Sequence, residues 1–188
     1  MDHILIIFYI IVFIYVFFHK KEDKRFNNLW TASIIAVIWG ILGKEQYNYN
    51  KNFLKLDNIT LFPIFAWALG LFFVYQLYKK IEKNIPILRF RNKICTFITI
   101  YWTCLICIEL IGYHILGIKN LATSQYKGIL FFGCIHAPCW MQIVYFSLGP
   151  LYFITCYFDE KIATVTSQRG SPHLLKCYPK NKPPSTYS

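Results

Sequence analysis

The sequence predicts an all-α integral membrane fold: a bundle of about five transmembrane helices followed by a disordered basic C-terminal tail. Three observations carry this. Apolar residues make up 56% of the 188 and charged residues only 15%, with mean hydropathy +0.39, whereas a soluble domain mixes charge into nearly every surface helix. The charges that exist collect in short stretches between five apolar runs. Aromatic residues reach 19%, with 17 Phe, 14 Tyr and 5 Trp; Phe suits lipid-facing surface, and Tyr and Trp suit the interface.

The first run, 4–18, covers roughly 22 Å as a helix, against about 30 Å of bilayer hydrocarbon, so flanking residues or local thinning complete the span. No Lys or Arg precedes it, His19-Lys20-Lys21 follows it, and no small-residue cleavage site appears. That charge order is the reverse of a secretory signal and fits an uncleaved anchor. The second run, 29–43, repeats Ala32, Ala36 and Gly40 every four residues, a spacing that lets two helix backbones approach closely. The third, 59–78, has an ordinary spanning length. Pro63 falls in its first turn, where the missing N–H costs little. Ala66 and Gly70 repeat the small-residue spacing, which predicts that the second and third helices pack through these stripes.

The fourth run, 94–118, contains Glu109 and His114. The fifth, 128–158, is too long for one simple span and too short for two. We place the span at 128–148, a break at Gly149-Pro150, and an interfacial segment over 151–158. The polytopic region is thus 1–158. Residues 159–188 form the tail, whose end lacks any apolar period.

Loop charges set the expected orientation. Alternate loops hold 15 Lys and Arg on one side and 5 on the other. This puts the N-terminus outside and the tail in the cytosol. The net charge of +11 therefore reflects topology and contact with anionic lipid. Without an RNP-like or zinc-finger pattern, it gives no reason to expect nucleic acid. Membrane lipid is the expected partner, with other membrane subunits or a second copy as further candidates. The seven cysteines lie almost wholly in apolar runs, which argues against a disulfide framework. Cys104 and Cys107 form C-x-x-C without further ligands nearby, so neither a metal nor a cofactor is expected.

Glu109 is the sole acidic residue inside a predicted span, and an ionisable group there is costly enough to demand a reason. By depth along antiparallel neighbouring helices, Glu109 and His136 should meet, either directly or through one water. Helical spacing adds Trp102 and Tyr113 from the fourth run, and Cys139 and Trp140 from the fifth, as candidate cavity lining. Pro138 should kink the fifth helix beside His136. Two roles fit this constellation. The pair could lock a helix hairpin in a structural or accessory protein. It could also supply acid–base chemistry to a small enzyme acting on an apolar lipid or isoprenoid-like substrate. A proton-coupled transporter ranks last, because no internal repeat is present. Cavity volume separates the first two, since a substrate pocket needs about 300 Å³ or more and a hairpin lock needs none. No H-E-x-x-H, G-x-S-x-G or P-loop pattern occurs.

Overall fold

The computed structural model describes residues 2–19, 24–85, 89–129 and 132–169. Within them lie five helices and one small hairpin, in the order α1 (Asp2–Phe18), α2 (Arg25–Leu42), β1 (Lys55–Leu56), β2 (Ile59–Thr60), α3 (Leu61–Asn84), α4 (Phe90–Leu110) and α5 (Cys139–Arg169). The last turn of α4 widens into a π turn, Ile111–Ile115. Three helices are long and apolar enough to cross a membrane: Leu61–Asn84, Phe90–Ile115 and Cys139–Ile162. Each of the first four apolar runs contains a helix; α3 runs six residues past the expected end at 78, and α4 starts four residues before the expected 94.

Helix α3 is the hub, packed against α1, α2, α4 and α5. Its closest partner is α2. Ala32, Ala36 and Gly40 are buried as their spacing predicted, and a Cβ on Gly40 would collide with the Ile64 side chain. The complementary expectation for α3 does not hold. Ala66 and Gly70 line a cavity to which α2 contributes no side chain, and a Cβ on Gly70 would meet nothing within 4 Å.

The fifth span differs from expectation in three ways. Residues 128–138, taken as its first half, are not helical where described. The helix begins at Cys139 and runs through Gly149-Pro150 to Arg169, so the expected break and interfacial segment are absent. The expected tail is helical over residues 159–169, while 170–188 lie outside the described residues.

The uninterrupted course of α5 has a physical cause on α4. Pro150 has no N–H for the carbonyl four residues back, which belongs to Phe146. Trp102 Nε1 donates to that carbonyl at 3.1 Å, and the Tyr101 hydroxyl donates to the neighbouring carbonyl of Tyr145. A neighbouring helix thus serves backbone that the proline leaves open, as happens in membrane bundles. Gly149 is needed for the same approach, because a Cβ there would drive into the Tyr101 ring.

The two ends of the bundle are built differently. At the end rich in Lys and Arg, Glu82 pairs with Lys79 at 3.0 Å and Lys93 at 2.6 Å. Lys79 also reaches Glu160 at 3.1 Å, and Glu160 accepts from the Tyr75 hydroxyl at 3.0 Å. These contacts tie α3, α4 and α5 together above a buried aromatic cluster that includes Tyr78, Phe97, Tyr152 and Phe153. At the other end, the long connections 43–60 and 116–138 are stitched into a cap. Tyr49 and Asn120 form an antiparallel bridge, Asn50 N donates to the Lys119 carbonyl at 2.9 Å, and Asn120 Nδ2 donates to the Gln46 carbonyl at 2.6 Å. The β1–β2 hairpin turns through Asp57 and Asn58, both at positive φ, as a two-residue hairpin loop requires.

Candidate functional site

Beneath the cap lies a cavity of about 180 Å³ walled by α3, α4, the two connections and the first half of α5. Glu109 and His136, expected to meet, and Tyr113, expected as lining, all border it. Trp102, Cys139 and Trp140 do not. Trp102 points outward to serve the Phe146 carbonyl, Cys139 is exposed at the start of α5, and Trp140 packs edge-on to Trp39 at 6.3 Å between ring centres. The displaced start of α5 explains the last two, since their helical register was counted from residue 128.

His136 reaches the cavity from a loop. Pro138 is not a kink but the residue just before α5, where its carbonyl accepts from Met141 N and Gln142 N. The preceding loop folds tightly on itself. Ile129 N donates to the Cys134 carbonyl at 2.9 Å, and a Cβ on Gly128 would come within 2.7 Å of that same oxygen. Gln142 Nε2 then donates back to the carbonyl of Ala137 at 2.9 Å. Ile135, at φ 53, sits where a β-branched residue is strained. That turn sends Ile135 and His136 to the cavity wall.

Backbone carbonyls lie near both imidazole nitrogens of His136, and a neutral ring donates to one of them. Nδ1 lies 2.8 Å from the Tyr126 carbonyl and Nε2 lies 3.2 Å from the Gly133 carbonyl, while the ring stacks on Tyr113 at 4.9 Å. No hydrogen bond links it to Glu109. Among the described residues none reaches the Glu109 carboxylate at all, and no ion pair does. His114, on the same turn, contacts the Phe132 carbonyl at 3.2 Å and is exposed.

Sequence reasoning missed most of the wall. Tyr47, Tyr49, Trp67, Tyr101 and Tyr145 supply it. Their hydroxyls largely serve one another: Trp39 Nε1 donates to the Tyr47 hydroxyl at 2.5 Å, and Tyr145 donates to the same oxygen at 3.2 Å. Burial pushes the Tyr47 phenol up to about 12 despite these bonds. Burial likewise raises Tyr49 well above the ordinary phenol range, with the Tyr47 and Glu109 charges adding to it. Both therefore remain neutral hydroxyls at working pH. A signal was available in Tyr47-Asn48-Tyr49-Asn50, whose period of two puts both rings on one side of an extended segment.

Glycine holds the cavity open. Gly70 on α3 and Gly112 in the π turn both line it, and a Cβ on either would meet nothing within 4 Å. Neither position needs glycine for close approach, in contrast to Gly40 and Gly149. Among the described residues no group of His, Cys, Asp or Glu side chains gathers to hold a metal ion. No protein-family model, curated protein or solved structure matches the chain.

Proposed function

We propose that the protein is a five-span integral membrane protein with a ligand-binding cavity whose receptor group is Glu109. The observation that carries the binding reading is a carboxylate without a partner among the described residues, facing space that two unconstrained glycines leave unfilled. A carboxylate kept only to join two helices would be expected to bond to one of them.

The membrane reading is supported by the outer faces of the shorter helices. Ile4, Ile7, Ile11 and Ile14 on α1, and Ile34, Ile38 and Ile41 on α2, are all exposed. Continuous apolar stripes of this kind suit lipid and are rare on water-exposed monomers. At 17 and 18 residues these helices cover roughly 26 Å each, close to the hydrocarbon thickness. With the 15-to-5 charge split, the capped end with its cavity faces outside and the ion-paired end faces the cytosol.

Binding is favoured over Glu109/His136 acid–base catalysis because both imidazole nitrogens already face backbone carbonyls. A base needs a nitrogen directed at the proton it takes. The cavity volume of about 180 Å³ is also short of the roughly 300 Å³ expected for a drug-sized substrate. It suits a small molecule or one end of a lipid.

The test is chemical access to Glu109. A small apolar carbodiimide should modify Glu109 in detergent-solubilised protein. Modification should drop to background in the doubly filled variant Gly70→Leu/Gly112→Leu, provided that variant keeps its helical circular dichroism. An unmodified Glu109 in the unaltered protein would show that no ligand-accessible cavity exists.

A further inference from the structure

We propose that the cavity at Glu109 receives a small organic ammonium group, its charge shared between the Glu109 carboxylate and the surrounding aromatic faces. This rests on the reading that the cavity is a ligand site and names the class of ligand.

Charge comes first. Among the described residues Glu109 is the sole acidic one in the lining, and no Lys or Arg lines it. An anionic ligand would meet an uncompensated like charge in a site of low dielectric. A neutral ligand would leave the carboxylate without a counter-charge. A cation supplies what the carboxylate lacks.

The wall chemistry then narrows the cation. Trp67 and Tyr145 pack at 5.0 Å between ring centres, and Tyr47 stacks on Tyr49 at 6.1 Å, so two aromatic pairs border the space around Glu109. Because the Tyr101 and Tyr145 hydroxyls donate to protein partners, these residues offer ring rather than hydroxyl to an occupant. A metal ion prefers a shell of oxygen or nitrogen ligands, and one carboxylate does not make one. Alkylated ammonium instead prefers aromatic faces with a nearby negative charge. The neighbourhood already holds one cation in this way: Lys119 Nζ lies 5.3 Å from the centre of the Tyr113 ring, a cavity-lining residue. The volume of about 180 Å³ admits a trimethylammonium-sized group and excludes a large amine.

The same group occurs on free amines and on zwitterionic lipid headgroups, and the experiment separates them. The protein is held in maltoside micelles, which contain no ammonium. Binding of choline is compared by calorimetry with binding of 3,3-dimethyl-1-butanol, the isostere with carbon in place of the charged nitrogen. Choline should bind at least tenfold tighter, and Glu109→Gln should abolish that preference. Adding phosphatidylcholine to the micelles should weaken apparent choline affinity if the lipid headgroup is the natural source, and leave it unchanged if a free amine is. Equal affinity for choline and its isostere, a preference that survives Glu109→Gln, or binding of neither overturns the ammonium assignment. In each of those cases, carbodiimide modification of Glu109 would leave the cavity reading standing. Its absence would remove both.

Discussion

At the basic end of the bundle, Glu82 and Glu160 are held by Lys79, Lys93 and the Tyr75 hydroxyl. At the capped end, Glu109 lines a cavity with no such partner among the described residues. The glycines divide the same way. Gly40 and Gly149 sit where another helix leaves no room for a side chain, whereas Gly70 and Gly112 border empty space. The comparison teaches that one residue type serves two purposes in this chain. Paired carboxylates and crowded glycines hold helices together, while Glu109, Gly70 and Gly112 border the cavity that we propose as a ligand site.

That contrast predicts an order of effects on stability. The largest should come from Glu160→Ala, which strands the Tyr75 hydroxyl and one partner of Lys79 and should cost about 2–3 kcal/mol, measured by denaturant unfolding in micelles. A loss below about 0.5 kcal/mol would mean that the ion cluster is ornamental. Next, Gly149→Ala should cost about 1–2 kcal/mol through the clash with Tyr101, with smaller losses in a Tyr101→Leu background, where the ring is gone. Trp102→Phe keeps the apolar bulk but removes the donor to the Phe146 carbonyl. About 1 kcal/mol should be lost, and amide exchange should quicken around Pro150. Smallest of all, Glu109→Gln and Gly70→Ala should each change stability by no more than about 0.5 kcal/mol in the destabilising direction. Gly70→Ala could even stabilise, because alanine favours helix over glycine by up to about 1 kcal/mol. A large loss on Glu109→Gln would place that residue with the structural carboxylates and erase the distinction.

Much of this was legible in the sequence. Each of the first four apolar runs carries charge at both borders, so the helices could be bounded from local composition. The α2 stripe could be read from Ala32, Ala36 and Gly40 because tight helix crossings demand small residues wherever they occur. The fifth run has such borders too, at Lys127 and Asp159, but the helix inside it starts only at Cys139, a limit that depends on residues far away. Trp102 and Tyr101 allow the helix to pass Pro150, while Gly128, Gly133 and the Gln142 side chain keep 128–138 folded as a loop. Glu109 and His136 were expected to meet on facing helices; both line the cavity, but no hydrogen bond joins them, and His136 arrives on a strained turn, not on a helical face. The alternation Tyr47-Asn48-Tyr49-Asn50 places two rings on one side, but which cavity they wall was illegible, because they join it only after their segment pairs with the one around Asn120, a contact no periodicity within one segment encodes.

The donors on α4 have a consequence for the order in which the chain assembles. Since Trp102 is synthesised before Pro150, the partner of the open Phe146 carbonyl is already in place when that part of α5 emerges. The final helix is then completed against its predecessor as a template, with the two entering as a hairpin. A chain in which α5 was made first, by circular permutation through the connection between α4 and α5, would have to carry an exposed carbonyl beside its proline until α4 followed.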